Sequence, residues 1–248
     1  MAPATALGRD LAIALDPARL MRRAGLVPDP WQARVLRSRA PRQLLLCCRQ
    51  SGKSSVSAAL ALHCALYEPD SLVLLLSPSL RQSQELYRKV AQFLPMPVDI
   101  AQESALRLEL ANGSRIICLP STEVTVRGYS GVSLLIVDEA SRVMDDLYFA
   151  IRPMLAVSQG RLVGLTTPWG KRGWFYNEYT GTEPWERTKI TAYECPRISR
   201  EFLEQEQRTM PPMWFQAEYL CEFTDTEDSV FATEHVMAAM SSAVKPLF

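Results

Sequence analysis

Residues 43–54, QLLLCCRQSGKS, decide the fold that this sequence predicts. A short apolar run comes first, the Gly-Lys-Ser turn follows at once, and residues 55–67 then place apolar side chains at helical spacing. This order predicts a buried strand, a phosphate-binding loop and a helix. The physical basis is that backbone N–H groups at a helix N-terminus point at phosphate oxygens.

Three residues of the loop have chemistry suited to a nucleotide. Lys53 is expected to reach the β- and γ-phosphates, the Ser54 hydroxyl to ligate Mg²⁺, and Gly52 to let the backbone come close. The pattern GxxxxGK[ST] also requires a glycine five residues before Gly52, where this chain has Cys47. A GKS tripeptide is often coincidental, so the loop alone leaves the nucleotide interpretation open.

The composition is that of a soluble globular protein long enough for one large domain, or for one domain with a small appendage. The formal net charge over 248 residues is zero, so the field of the whole molecule does not attract nucleic acid or an anionic membrane. Residues 9–42 nevertheless carry eight arginines against three aspartates, and residues 194–234 carry ten carboxylates against three arginines. Two solvated faces of opposite sign are favoured over a head-to-tail contact between copies.

The six cysteines do not form a disulfide pattern. Cys47 and Cys48 are adjacent on the proposed buried strand, and the sequence has no C-x-x-C pair. No apolar run approaches the ~20 residues of a membrane span, and Arg9 and Asp10 interrupt the N-terminal apolar stretch. We therefore expect a cytoplasmic protein that does not contact a membrane.

Periodicity and turn residues predict the remaining elements. The predicted helices cover residues 10–24, 31–39, 79–94, 145–157 with a break at Pro153, 199–208 and 211–223. The predicted strands cover residues 72–77, 106–110, 115–119, 133–138, 161–166 and 185–191, of which 106–110 and 115–119 form a hairpin.

Gln32 lies on the helix that leads to the phosphate loop. Its amide offers both a donor and an acceptor, which suits the edge of adenine, and Trp31 offers an apolar wall beside it. The alternative is a helix-capping or surface glutamine.

The strand at residues 133–138 ends in two acids, Asp138 and Glu139. Both carboxylates should lie at the C-terminal edge of the sheet, where open α/β sheets bind ligands. Asp138 is expected to hold Mg²⁺, and Glu139 to polarise the attacking water. An acidic strand end about 85 residues after a GKS loop, each on its own strand, indicates a nucleotide hydrolase.

A further strand ends in Thr166 and Thr167 at the same edge of the sheet. Hydroxyl groups at this position can sense the γ-phosphate and relay its loss to a neighbouring segment. The two threonines are therefore predicted to couple hydrolysis to movement.

Taken together, these motifs resemble the ATPase portion of the large terminase subunit of tailed bacteriophages. The resemblance runs from about Trp31 to Phe231. It rests on PWQ at 30–32, CRQSGKS at 48–54, SPS at 77–79, RG at 127–128, IVDEA at 136–140 and TTP at 166–168. In that family the first loop glycine is commonly absent, so the departure at Cys47 is expected. The family's nuclease domain would lie beyond Phe248.

The resemblance implies a fold and a set of site residues. The fold is an α/β, doubly wound, mainly parallel sheet of the additional-strand catalytic-glutamate P-loop ATPase type. The core is expected over residues 1–194, and a small lid and linker subdomain over 195–248. The predicted nucleotide-binding residues are Trp31, Gln32, Arg49, Gln50, Ser51, Gly52, Lys53 and Ser54. Ser54 and Asp138 are the predicted metal ligands.

The resemblance also implies a function and partners. The function is ATP hydrolysis, with Mg²⁺, that drives double-stranded DNA into a procapsid in the cytoplasm of an infected bacterium. The implied partners are the portal protein, the small terminase subunit and further copies in a ring. Arg127 matches the family's arginine finger, which acts on a neighbouring subunit's ATP. The alternative for Arg127 is a structural ion pair within its loop.

Two other functions share some of these motifs. A superfamily 1 or 2 helicase has a glutamine motif and an acidic pair, but it needs a second recombinase-like domain, for which 248 residues leave no room. A nucleotide-gated assembly or DNA-binding clamp would bind ATP without hydrolysing it. Glu139 argues against the clamp, since a switch has less need of a catalytic base.

Overall fold

The computed structural model describes residues 5–94, 98–121, 126, 128–225 and 239. The strands are β1 (Arg42–Cys47), β2 (Leu72–Ser77), β3 (Ile100–Glu103), β4 (Arg107–Leu110), β5 (Arg115–Pro120), β6 (Leu134–Asp138), β7 (Arg161–Thr166) and β8 (Glu186–Ile190). The α-helices are α1 (Ala6–Leu15), α2 (Ala18–Arg23), α3 (Pro30–Arg37), α4 (Lys53–Tyr67), α5 (Leu80–Phe93), α6 (Asp145–Ile151), α7 (Gly173–Thr180), α8 (Arg200–Thr209) and α9 (Pro212–Leu220).

The strands form one sheet in the order β3-β4-β5-β2-β6-β7-β1-β8. In this order, the five pairings between β5 and β8 are parallel. At the opposite edge, β4 pairs antiparallel with both β3 and β5. Every residue of β2 is buried, as expected for a parallel strand covered on both faces. One strand, β7, separates the phosphate-loop strand β1 from the acidic strand β6, which confirms the predicted fold class.

The register of the parallel strands brings three strand ends together. Leu46 pairs with Thr166 across β1 and β7, and Asp138 pairs with Leu165 across β6 and β7. The phosphate loop, the acidic pair and the threonine pair therefore leave the sheet side by side at its carboxyl edge, where ligands bind in open α/β folds.

The prediction of a single helix over residues 10–24 was wrong. The chain instead forms α1 and α2, separated at Asp16 and Pro17. Proline has no N–H to continue a helix, and it restricts the preceding residue to extended conformations. Asp16 accordingly has φ −139° and ψ 97°. Its carboxylate accepts two hydrogen bonds from Arg37, each 2.9 Å long, and these fasten the break to α3.

Two further segments differ in detail from the sequence prediction. The helix expected over 145–157 ends at Ile151, and a 3₁₀ turn at Arg152–Leu155 carries Pro153. The hairpin of β4 and β5 is present, but it has an additional strand, β3, that the sequence did not predict. All four residues of β3 are exposed, so no buried face produces an alternating pattern in the sequence.

The C-terminal helices begin at the positions that their capping residues predict. The Ser199 hydroxyl accepts from the Phe202 N–H at 3.2 Å and starts α8, and Pro212 occupies the first turn of α9. That residues 195–248 form a separate lid and linker subdomain stays a prediction. In the part of the chain described here, no helix is long and apolar enough to cross a membrane.

Candidate nucleotide site at the carboxyl edge of the sheet

The phosphate loop joins the end of β1 to the first residue of α4, Lys53. Within it, Gln50 and Gly52 have positive φ values of 59° and 90°. The Ser51 hydroxyl donates to the Cys48 carbonyl at 2.9 Å and closes the turn. Ser51 is buried, whereas Gly52, Lys53 and Ser54 are partly exposed. The N-terminus of α4 thus opens onto the carboxyl edge, as a phosphate site requires.

Lys53 joins the phosphate loop to the acidic turn. Its Nζ lies 3.6 Å from Glu139 Oε1, and the two side chains are only 10% and 23% exposed. Because both charged groups are largely withdrawn from water, their attraction is less screened than that of a surface pair. The structure therefore brings together the predicted phosphate-binding lysine and the predicted general base.

The pKa of Asp138 is far from its ordinary value. Burial, and next the charge of Glu139, raise the pKa of Asp138 to about 7, while Lys53 and the Glu139 N–H oppose this shift. Two adjacent carboxylates facing one lysine leave an excess of negative charge that a divalent cation would neutralise. Carboxylate and hydroxyl oxygens are hard ligands, and Mg²⁺ typically takes one or two carboxylates and completes its shell with phosphates and water. Asp138 and Ser54 fit this donor set.

Glu139 sits in a strained backbone conformation, with φ 49° and ψ 46°. Its Oε2 lies 3.4 Å from the hydroxyls of both Thr166 and Thr167, which are buried. A non-glycine residue in the left-handed region costs about 1 kcal/mol or more and persists where the surroundings fix it, often at functional sites. In this conformation the Glu139 carboxylate lies between Lys53 and the two threonines.

Ser141 also belongs to this part of the site, although the sequence did not single it out. Its Oγ lies 2.7 Å from Thr166 Oγ1 and 2.9 Å from the Thr167 carbonyl oxygen. These contacts join the acidic turn to the end of β7. Small hydroxyl residues are too common for the sequence alone to have indicated this one.

Gln32 and Trp31 are both buried, at 2% and 4% exposure. Gln32 Oε1 accepts from the Asp29 N–H at 2.9 Å, which caps α3, and its Nε2 donates to the Ser51 carbonyl at 3.2 Å. Trp31 packs in the hydrophobic core. The structure thus places Gln32 against the phosphate loop in a capping role. Contact of either residue with adenine stays a prediction.

Arg49 and Gln50 lie on the exposed side of the loop. Arg49 Nε is 2.7 Å from Glu218 Oε2 on α9, and the Arg49 N–H donates to the Glu218 carbonyl at 3.1 Å. Glu218 had no signal in the sequence, since its partner lies far away along the chain and α9 carries no motif. Arg127 lies outside the described residues, so its assignment as an arginine finger stays a prediction.

Residues 44–236 match the family model of the T4likevirus-type large terminase subunit, N-terminal region. The chain belongs to this family. Among curated proteins, it is 24% identical over 248 residues to the large terminase subunit of Thermus virus P23-45, a match that covers 84% of this chain and 51% of that protein. The chain thus spans about half the length of the curated relatives it matches.

Solved structures of large terminases have the same fold. The large terminase ATPase domain of Thermus phage P74-26 matches with a TM-score of 0.72 and 22% identity, covering 85% of this chain and all of that one. A large terminase from another thermophilic bacteriophage matches with a TM-score of 0.65 and 14% identity, over 79% of this chain and 53% of that one. The predicted P-loop fold of a terminase ATPase portion is therefore confirmed.

Proposed function

We propose that this terminase chain binds ATP with Mg²⁺ and hydrolyses it, and that this hydrolysis drives double-stranded DNA into a procapsid. One observation carries the hydrolytic part of the proposal. Lys53 Nζ and Glu139 Oε1 lie 3.6 Å apart at the carboxyl edge, with Asp138 beside them. A phosphate-binding cation, a general base and a metal-binding carboxylate are the groups that phosphoryl transfer to water needs.

Each residue then has a distinct role. Lys53 moves from Glu139 to the β- and γ-phosphates, where its charge stabilises the negative charge that spreads over the transferred group. Glu139 is thereby released to orient the attacking water and accept its proton. Asp138 and the Ser54 hydroxyl would hold Mg²⁺, which when bound neutralises phosphate charge.

In this proposal, the threonines respond to the same event. Both hydroxyls lie 3.4 Å from the Glu139 carboxylate, and Ser141 ties Thr166 to the turn that follows Glu139. A movement of the Glu139 carboxylate on hydrolysis would therefore be transmitted to the end of β7 by direct contact. We assign the coupling of hydrolysis to movement to Thr166 and Thr167 on this basis.

The similarity to large terminases supports ATP as the nucleotide and DNA packaging as the role. The same thermophilic-phage large terminase that shares this fold at 14% identity has been solved with ADP and with ATP-γ-S. Membership of the large terminase family supports double-stranded DNA as the substrate that is moved, and the portal protein, the small terminase subunit and further copies in a ring as partners.

Lys53→Ala tests the nucleotide site. Loss of the charge that stabilises the transition state should lower steady-state ATP turnover by about 10²–10³-fold or more. Lys89→Ala, on α5, is the matched control and should turn over ATP like the unmodified chain. Turnover in Lys53→Ala equal to that in Lys89→Ala would contradict the proposed function.

We further propose that Arg127 acts on the ATP of a neighbouring copy. An arginine supplied across an interface is worth about 10³–10⁵ in turnover. Arg127→Ala and Glu139→Gln should each be inactive alone, but a mixed assembly contains sites in which an intact Glu139 faces an intact Arg127. Partial activity should therefore return on mixing. Absence of recovery, with assembly verified by light scattering, would show that Arg127 acts in its own subunit or only shapes its loop.

A further inference from the structure

The Ser51 carbonyl oxygen accepts hydrogen bonds from two side chains that come from distant parts of the sequence. Gln32 Nε2 lies 3.2 Å from it, and Arg197 Nη2 lies 2.7 Å from it. Arg197 belongs to the segment between β8 and α8, 146 positions after Ser51. The phosphate loop is therefore held by one residue that precedes the strands of the sheet in the sequence and by another that follows them.

The same two side chains are joined to each other through Asp29. Arg197 Nη1 donates to Asp29 Oδ1 at 2.8 Å, and the Asp29 N–H donates to Gln32 Oε1 at 2.9 Å. Four hydrogen bonds thus close a ring through Asp29, Gln32, Ser51 and Arg197, which we call the Ser51 clamp. Hydrogen bonds from a charged donor such as Arg197 are about twice as strong as neutral ones.

The clamp fixes the direction of one peptide plane in the phosphate loop. In a trans peptide, the Ser51 carbonyl and the Gly52 N–H point in opposite directions. When the carbonyl is held against Gln32 and Arg197, the Gly52 N–H must point away from them. Phosphate binding needs N–H groups that face the anion, and a carbonyl in the same place would repel it.

Gly52, the residue after this carbonyl, is the reason that the Ser51–Gly52 peptide needs a restraint. Gly52 has φ 90°, and a Cβ at this position would lie 2.6 Å from Gln32 Nε2. Glycine permits the clamp to close, but it also lets the peptide rotate easily, since it populates positive and negative φ about equally. The clamp therefore supplies the orientation that glycine does not.

We propose that Arg197 is a positioning residue for nucleotide binding, which acts by holding the Ser51–Gly52 peptide in its phosphate-binding orientation. This inference rests on the proposed ATP site. Arg197→Ala should weaken the binding of Mg²⁺-ADP by about tenfold, the effect of losing one charge-assisted hydrogen bond. The KM for ATP should rise in parallel while kcat changes little, because Lys53 and Glu139 are untouched.

Calorimetric titration with Mg²⁺-ADP, together with steady-state kinetics, tests the proposal. Arg208→Ala is the matched control, since Arg208 donates to the Glu204 carbonyl within its own helix α8. Arg197→Lys should recover part of the affinity, because an ammonium group can bond Ser51 but lacks the planar fork that also reaches Asp29. Asp29→Asn should weaken ADP binding in the same direction but less, and should add little to Arg197→Ala.

Amide hydrogen exchange of residues 48–54 in the nucleotide-free protein is the second measurement. Arg197→Ala should exchange faster there than Arg208→Ala. If the unmodified chain binds no ADP, the proposed function fails together with the positioning role. If the unmodified chain and Arg197→Ala bind ADP equally and exchange alike, only the positioning role is overturned. A fall in kcat as large as the rise in KM would also overturn it, by indicating general damage to the site.

Discussion

The phosphate loop and the acidic turn meet at the Lys53–Glu139 ion pair, but the rest of the molecule supports them in different ways. The acidic turn is supported by the adjacent strand: Glu139 and Ser141 contact Thr166 and Thr167, which are 25 to 28 positions away. The phosphate loop is supported mostly by groups much farther along the chain, with Gln32, 19 positions from Ser51, as the exception. Its residues 48–51 bond to Gln32, Ile190, Arg197 and Glu218.

This difference indicates which parts of the molecule are expected to act on each loop. The acidic turn is held by two buried threonine hydroxyls at the end of a single strand, β7. The phosphate loop is held by more exposed side chains: that of Arg49 is 64% exposed and that of Arg197 is 47% exposed. We therefore expect the C-terminal segment that carries Arg197 and Glu218 to influence the nucleotide through the phosphate loop, and the threonines to act through the acidic turn.

Within the comparison of the two loops, the largest expected effect separates the two acids of the acidic turn. Glu139→Gln keeps the shape but removes the base, so nucleotide affinity should be retained while turnover falls by about 10²–10⁴-fold. Asp138→Asn should lower Mg²⁺-nucleotide affinity and turnover together, since it removes the predicted metal ligand. Calorimetry measures the nucleotide affinity of each variant, and a steady-state ATPase assay measures its turnover. Hydrolysis by Glu139→Gln at a rate comparable to that of the unmodified chain would place the base elsewhere.

Asp138→Asn should also stabilise the protein when nucleotide and metal are absent. Burial raises the pKa of Asp138 from 3.8 to about 7, so the folded state takes up a proton more readily than the unfolded state. The free energy of unfolding therefore decreases as pH rises from about 4 to 7, and above pH 7 the buried ionised group lowers it by about 4 kcal/mol. Thermal unfolding in EDTA at pH 8 should show the variant to be more stable, with a smaller difference at pH 5. Equal midpoints at both pH values would contradict this effect of the buried carboxylate.

The part of the site that could be predicted from the sequence is the part carried by contiguous motifs. Asp138 and Thr166 end apolar strands, and Lys53 and Glu139 follow such strands. Parallel strands deliver their ends to one edge, so position in the motif fixes position in space. Arg197, Glu218 and Ser141 have no such signal, because each reaches the site through a contact specific to the tertiary structure. The sequence prediction also left helix α7 unassigned. Gly173 and the aromatic residues after it do not show helical periodicity, and the packing of Trp174 and Phe175 in the core determines this helix.

A smaller effect is expected from the threonine pair. Thr167→Ala removes one hydroxyl 3.4 Å from the Glu139 carboxylate, while the phosphate loop stays intact. ATP affinity should therefore be retained, and DNA movement per ATP hydrolysed should fall in a packaging assay with the full-length protein. Thr180→Ala is the control, because its hydroxyl bonds only the Tyr176 carbonyl within α7 among the contacts described. A loss of ATP binding in Thr167→Ala would show that the threonine is structural.

The smallest expected effect concerns the ion pair between Arg49 and Glu218. Glu218→Gln should change the free energy of unfolding by less than about 1 kcal/mol, because Arg49 is mostly exposed and such pairs contribute little. The backbone hydrogen bond from the Arg49 N–H to the Glu218 carbonyl is kept in this variant, so the loop retains its course. If Arg49 binds phosphate, it must leave Glu218 to do so, and removing the carboxylate then removes a competitor. Glu218→Gln should therefore raise Mg²⁺-ATP-γ-S affinity about two- to threefold, roughly the worth of a surface ion pair, and Arg49→Ala should lower it. Equal affinity in Glu218→Gln, Arg49→Ala and the unmodified chain would show that Arg49 serves only to join the phosphate loop to α9.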